Sequence, residues 1–327
     1  MSSIDELLAK YFASECSEPL VTRTRQRNTN FMIFLQSRDL SSFSMYEDLK
    51  KRFNEEGFVV VRDLFEPSEI EFYREVVEEA IKERKQLDER NLEDKSEYEK
   101  SFVQCQNLWE DNLEIRKLTF DQRICKMASE LIGTDSIRLW HDQALLKESG
   151  GRETDPHHDQ PYWPIKETNT VTAWIPLCDI DASNGQLGFY PGSHKLKDQK
   201  FINIFSGKVD DKDFQETTSL DSKEIRYQTL KAGDVSFHHG LTFHRAKANV
   251  SNEDRVVHTA IFFADGSTRG DDKFHFSVDR PDIKVGEKIA SDVTPIAYPI
   301  QELPDKPKNG ISDEFIGYKM LGLLPRD

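Results

Sequence analysis

His157-His158-Asp159, and a second group formed by His238, His239 and His244 with Arg255 behind it, are the residues of this chain whose types and spacing could do chemistry. Two imidazoles and one carboxylate can hold a single metal ion on one face of an octahedron and leave the opposite face open, the arrangement of a non-haem iron oxygenase. A closed structural zinc site would ask for four protein ligands, usually with cysteines. His157 and Asp159 lie two apart, so on an extended strand both project to one face while His158 points away. His244 is the distant histidine that closes the set, with His238 and His239 competing for its place. Arg255 heads the apolar run 256–263, where a guanidinium needs an anion to meet it, either a ligand carboxylate held bidentately or a plain structural salt bridge. A histidine buried against a carboxylate partner is the bland alternative for the first pair.

Such residues need a rigid frame. Six short runs rich in β-branched and aromatic residues, 137–147, 170–178, 187–190, 225–230, 235–238 and 256–263, are bounded by Gly, Pro, Asn or Asp and read as strands. Many short strands without strand-helix alternation imply a sandwich or barrel and exclude a doubly wound sheet. Glu66-Pro67-Ser68-Glu69 opens a helix, with Ile70, Tyr73, Val77, Ala80 and Ile81 at helical spacing. Residues 1–50 read as a peripheral segment of short helices. The densely charged stretch 82–100 reads as a solvated helical face or a linker, with a lid as the sharper alternative. The polar stretch 195–224 is an insertion between strands. His141 and His194 read as satisfied core or loop histidines, and the Asn184-Gly185 and Pro191-Gly192-Ser193 segments as structural turns.

Several blocks occur in a fixed order: Gly57-Phe58-Val59-Val60-Val61-Arg62-Asp63 near the start, Leu139-Trp140-His141-Asp142-Gln143, then the His-x-Asp with Gln160-Pro161-Tyr162-Trp163. They continue as Thr172-Ala173-Trp174-Ile175-Pro176-Leu177, Asn184-Gly185, Pro191-Gly192-Ser193-His194, Gly233-Asp234-Val235, His244, Asn249 and Arg255. In this set the chain resembles the phytanoyl-CoA dioxygenase family of Fe(II)/2-oxoglutarate-dependent oxygenases, from about residue 53 to about residue 265. The resemblance implies a mainly β fold with flanking helices around a double-stranded β-helix (jelly-roll, cupin-like) core. It implies one oxygenase domain over 1–327, with a family-like core at 53–265 and a C-terminal extension at 266–327. His244 is preferred as the third iron ligand because Arg255 follows it by eleven residues, the family spacing between that ligand and the arginine that binds 2-oxoglutarate. Gln143, His158 and Trp174 fall at positions that line the cosubstrate, and Lys147, Tyr162 and Trp163 are expected to border the substrate pocket. Two departures stand out: His158 occupies a place often held by glutamine, and Ala246 one where some members carry a cosubstrate-binding serine.

The implied reaction uses Fe(II), 2-oxoglutarate and O2. It oxidises an unactivated C–H bond of a small-molecule substrate and releases succinate and CO2. Related halogenases lack the carboxylate ligand; Asp159 is present, so hydroxylation is the default, with desaturation or ring closure open on the same framework. A non-catalytic cupin-like binding protein and a zinc-dependent hydrolase on the same three residues are the rivals. Substrate identity is expected to be written in the stretches 82–112, 198–224 and 266–327.

Composition narrows the partners. A formal charge of −15 over 327 residues argues against a nucleic-acid partner and weakens a coenzyme A thioester as substrate. No apolar run is long enough to span a membrane. The start lacks the basic lead and apolar run of a secretory signal, and the last residues do not spell a peroxisomal address, so a cytoplasmic location is expected. Cys16, Cys105, Cys125 and Cys178 show no Cys-x-x-Cys spacing and read as buried or incidental thiols.

Overall fold

Two antiparallel sheets curl toward each other, and the chemistry sits between them. The computed structural model describes residues 41–86, 99–197, 199–202, 209–221 and 224–308. The chain divides into two units, Met1–Lys51 and Arg52–Asp327, and the sheets and the cavity belong to the second. The helices are α1 (Ser41–Glu56), α2 (Pro67–Lys85), α3 (Leu108–Asp111), α4 (Leu113–Thr119), α5 (Gln122–Ile132), α6 (Asp211–Thr218) and α7 (Phe276–Asp279). The strands are β1 (Phe58–Val61), β2 (Val103–Gln106), β3 (Ile137–Lys147), β4 (Thr154–His157), β5 (Thr170–Pro176) and β6 (Leu187–Phe189). They continue as β7 (Arg226–Tyr227), β8 (Val235–His239), β9 (His244–Ala246), β10 (Arg255–Ala264) and β11 (Ile296–Tyr298). The larger sheet runs β1-β8-β5-β10-β3-β11 with β2 also on β3, and the smaller runs β4-β9-β6-β7. This is the double-stranded β-helix expected from the sequence, with helices flanking it.

Of the six sequence-predicted strands, 137–147 is found with the same bounds, and four others shift by one or two residues at an end. The run 225–230 pairs as a ladder only at Arg226–Tyr227, and Leu230 instead makes an isolated bridge to Ile180. Its neighbour β6 is three residues long, and past Tyr227 it takes one more hydrogen bond, from the Gln228 N–H to the Leu187 carbonyl at 2.8 Å. The stretches 87–98 and 309–327, and most of 1–50, lie outside the described residues. The lid reading of 82–100 therefore falls largely there, although α2 carries the helix through Lys85.

Local signals explain the helices that brace the larger sheet. Pro67 occupies the first turn of α2, and the Glu69 carboxylate accepts the Glu66 N–H at 2.9 Å, closing the start of the helix. Its buried face takes Ile70, Val77, Ala80 and Ile81, as the spacing predicts, together with Val76 and Arg84, whereas Tyr73, also expected there, is only partly buried. On α5 the Asp121 carboxylate accepts the Arg123 N–H at 2.9 Å, and Gly133 ends the helix in the left-handed region at φ 69. Ile124, Met127, Ala128 and Leu131 form its buried stripe.

Between the sheets, Phe58, Trp174, Leu187, Phe189, Ala246 and Val257 form one apolar cluster, with the Phe58 and Phe189 rings stacked 4.4 Å apart. Each large side chain buried in this way contributes about 1.5–3 kcal/mol. Gly57, at φ 83, seats the chain entering β1 against the loop before β9: a Cβ there would lie 2.4 Å from Thr242 Oγ1, whose hydroxyl donates to the Gly57 carbonyl at 2.8 Å.

The opposite face of the larger sheet hides a polar cluster under α3 and α4. The Asp142 carboxylate accepts from the Trp109 N–H at 3.0 Å and from the Thr119 hydroxyl at 2.8 Å, and His258 Nε2 meets that hydroxyl at 2.9 Å. Burial pushes Asp142 up to about 7, against the pull of the Thr119 and Trp109 hydrogen bonds. A carboxyl raised by folding stabilises fully below its unfolded value near 4, and that contribution fades as pH rises through about 7. Asp142→Asn keeps an oxygen acceptor and removes the titration. Thermal melts from pH 4 to pH 8 are therefore expected to show wild type losing on the order of a few kcal/mol relative to the variant. Parallel curves for the two proteins would contradict this account.

Candidate active site

Antiparallel pairing brings the distant histidines together. His157 ends β4 opposite His244, the first residue of β9, and their rings lie 4.3 Å apart. The strand stops at His157. Asp159 takes a helical conformation, φ −79 and ψ −38, at the head of the 3-10 turn Gln160–Tyr162. The sequence expectation that both residues share one strand is thus corrected: the carboxylate reaches the histidines from a turn, which swings it back beneath β9.

Asp159 Oδ1 lies 3.6 Å from His157 Nε2 and 3.7 Å from His244 Nε2. One ligand atom from each of the three residues fits within 4.8 Å of the others, the spread a single cation can bridge. Backbone carbonyls fix both ring orientations: His157 Nδ1 donates to Asp155 O at 2.8 Å and His244 Nδ1 to Thr242 O at 3.0 Å. Both Nε2 atoms therefore present bare lone pairs to the carboxylate. Burial, reinforced by the neighbouring His244, pulls His157 down to about 4, and burial does the same to His244, so both rings are neutral at pH 7. For Asp159, burial alone would raise the carboxyl, but the surrounding His244, His238 and His157 outweigh it and hold it well below the usual carboxylate range. Two neutral imidazoles and an ionised carboxylate are the donor set Fe(II) takes, so the residues present fit that ion.

His238, one of the two rivals for the third position, contacts the carboxylate from behind: its Nε2 lies 3.3 Å from Asp159 Oδ2, the oxygen that the Thr172 hydroxyl also meets at 3.2 Å. His239 turns the other way, with Nδ1 accepting from the Leu241 N–H and its ring against His194. His194 itself meets the Asn54 carbonyl through Nε2 at 3.2 Å, while its Nδ1 is buried without a hydrogen-bond partner, so the satisfied role read for it from the sequence is met at one nitrogen only.

A cavity of about 400 Å³ opens onto these residues, lined by β10, β3, β2 and β9. Along β10 the inward positions include Arg255, Thr259 and Ile261, and along β3 His141, Gln143 and Leu145. Arg255 is buried, with its guanidinium 5.5 Å from the Trp174 ring. Its Nε has no hydrogen-bond partner, and no acid pairs with it among the described residues. Burial lowers it to about 10, which leaves it charged. A buried cation without a counter-ion is costly, and an anion entering the cavity relieves that cost. Lys147 faces Arg255 across the β10–β3 ladder, yet burial, with Arg255 and Arg152 nearby, lowers its amine to about 6. At neutral pH Arg255 is the cation at this end.

Gln143, Trp174, Tyr162 and Trp163 all line the cavity, and Gln143 accepts a hydrogen bond from Gln104. Two expected positions are corrected. Lys147 does not border the pocket: it is fully buried and donates to the Arg152 carbonyl and to Thr154 Oγ1. His158 lies outside the cavity too, its ring edge-on to Phe243 at 4.2 Å, because adjacent residues at the end of β4 face opposite ways. Tyr162 spends its hydroxyl on the Ile202 carbonyl at 2.7 Å. Ala246 does reach the cavity, so no hydroxyl meets a ligand from that position.

Other residues line it that the sequence did not single out: Thr172, and, within the stretches 82–112 and 266–327 expected to shape the pocket, Phe102 just before β2, Gln104 and Gln106 on β2, and His275 with its neighbours Phe274 and Phe276. His141, read as a core histidine, also opens on the cavity. The signal for β2 was present as a period of two, Phe102, Gln104, Gln106, but glutamine is a poor strand former and hid it.

Fold and site together define a non-haem Fe(II)/2-oxoglutarate-dependent dioxygenase. The chain belongs to the phytanoyl-CoA dioxygenase family, whose sequence model matches residues 53–257. The bovine peroxisomal phytanoyl-CoA dioxygenase is 28% identical over 240 residues, 67% of this chain and 68% of that protein. A phytanoyl-CoA dioxygenase domain-containing protein 1 homolog of Caenorhabditis briggsae is 27% identical over 152 residues; the match spans 44% of this chain and about half (52%) of that relative. The crystal structure of the epimerase SnoN with Fe3+, alpha ketoglutarate and nogalamycin RO superposes with a TM-score of 0.63 at 26% identity, covering 78% of this chain and 99% of that one.

Proposed function

We propose that this oxygenase hydroxylates an unactivated C–H bond of a small molecule, with His157, Asp159 and His244 as the iron ligands and Arg255 as the anchor for 2-oxoglutarate. One observation carries the reading: a three-residue donor set, itself fit for Fe(II), shares a cavity with a buried arginine that has no acid partner among the described residues. Bound Fe(II) supplies the oxidative chemistry, in which substrate, 2-oxoglutarate and O2 give hydroxylated substrate, succinate and CO2. The chain's own residues do the placing. Arg255 takes the distal carboxylate in its fork, steadied by the Trp174 face, and Gln143 offers its amide alongside. The Asp155 and Thr242 carbonyls keep the two Nε2 atoms aimed, and the aromatic wall excludes water from the reacting carbon. Because Asp159 fills the carboxylate position, hydroxylation is the outcome the donor set favours.

The test is succinate formation from 2-oxoglutarate by purified protein with Fe(II), with Zn(II), and without metal. Turnover is expected with Fe(II) alone and is expected to vanish in Asp159→Ala. Activity of the zinc-loaded protein that is indifferent to 2-oxoglutarate would replace this reading with a hydrolase.

A further inference from the structure

The cavity has two ends. Arg255 and Ile261 are six positions apart on β10, which separates them by about 20 Å along the strand, too far for one 2-oxoglutarate to fill. The end near Ile261 is walled by Tyr162, Trp163, Ile261, Phe274 and Phe276. Into this apolar surround point two histidines, His141 and His275, with rings 5.6 Å apart and 24° from parallel.

Their hydrogen bonds fix opposite roles. His275 Nδ1 accepts the Ser277 N–H at 3.2 Å, so the proton sits on Nε2 and that atom donates. His141 Nδ1 meets the Asp142 carbonyl at 3.3 Å and must donate, so its Nε2 is a bare acceptor. Burial keeps both rings uncharged at neutral pH. Of the two arginines that line the cavity, Arg255 is at the other end and Arg245 is already held by Asp211 at 2.5 Å and Glu153 at 2.8 Å. Nothing among the described lining residues at the Ile261 end offers positive charge to a carboxylate or phosphate.

We propose that this end binds an uncharged, ring-bearing molecule through one neutral group that both donates and accepts, a hydroxyl or an amide, held between His275 Nε2 and His141 Nε2. The flat rings around it match a flat ligand, and the pair of neutral nitrogens discriminates against an anion of the same shape by leaving its charge unpaired. A coenzyme A thioester, with its phosphates, is not the ligand of this surface. This inference rests on the oxygenase reading for which end takes 2-oxoglutarate.

Isothermal titration of the Fe(II)- and 2-oxoglutarate-loaded protein, without O2, with 2-naphthol, 2-naphthoate and palmitoyl-CoA tests it. 2-Naphthol is expected to bind at least about 10-fold more tightly than either anion, and His141→Phe and His275→Phe are each expected to weaken it about 2- to 12-fold while keeping the ring. The comparison among ligands uses wild type and stands even if a variant fails to fold. No binding of 2-naphthol, equal binding of 2-naphthoate or palmitoyl-CoA, or folded variants that bind 2-naphthol as wild type does would overturn the proposal. Succinate formation is scored separately. Its absence with naphthol selectivity intact sinks the oxygenase reading alone, and its presence without selectivity sinks the pocket assignment alone.

Discussion

Arg255→Ala is expected to raise the KM for 2-oxoglutarate at least about 30-fold, the effect of removing about 2 kcal/mol or more of buried charge pairing. The arginine is buried, lacks an acid partner among the described residues and faces the cavity, so the cosubstrate carboxylate is the group that completes it. Lys147 cannot take over. Its amine is largely neutral at pH 7 and is committed to the Arg152 carbonyl and the Thr154 hydroxyl. Arg255→Lys is also expected to fall well short of wild type, since one ammonium cannot reproduce a bidentate fork. Initial rates against 2-oxoglutarate concentration measure both variants, and a KM within about threefold of wild type for Arg255→Ala would remove the residue from cosubstrate binding.

His238→Ala is expected to lower Fe(II) affinity or turnover about 10- to 100-fold without touching a ligand of the metal. His238 and Thr172 hold Oδ2 of Asp159 and so leave Oδ1 as the oxygen that faces His157 and His244. Freed of one of them, the carboxylate can rotate and present either oxygen. His238→Gln retains an N–H donor and is expected to recover part of the loss. Fe(II) dissociation constants, compared with the melting temperature of the metal-free protein, separate positioning from stability: a fall in melting temperature with unchanged iron affinity would make His238 merely structural.

The residues that do chemistry were legible where local rules fixed them. A carboxylate two residues from a histidine, and a guanidinium heading an apolar strand, announce themselves in any frame. The strand 137–147 was equally plain, because its apolar residues leave no competing pattern. What stayed hidden depended on tertiary placement. Asp159 left the strand because Pro161 two residues on favours a turn start. His141 looked like any core histidine until residues more than a hundred positions later brought His275 against it. Lys147 drew attention as a charge, and burial removed that charge.

The ladder between β10 and β3 slips by one residue between Ile261 and Phe262, leaving Trp140 with no opposite number. On a regular strand Trp140 and His141 would face opposite ways, yet both rings touch His275, at 4.3 Å and 5.6 Å. This single irregularity therefore builds the histidine clasp. From Ile261 back to Arg255 the pairing is in step, so a deletion at Trp140 would leave His141, Gln143, Thr259 and Arg255 opposite their partners and remove only the indole that stacks on His275. The slack residue thus bears on the indole behind His275 alone, and the ribbon that carries Gln143, Thr259 and Arg255 does not depend on it.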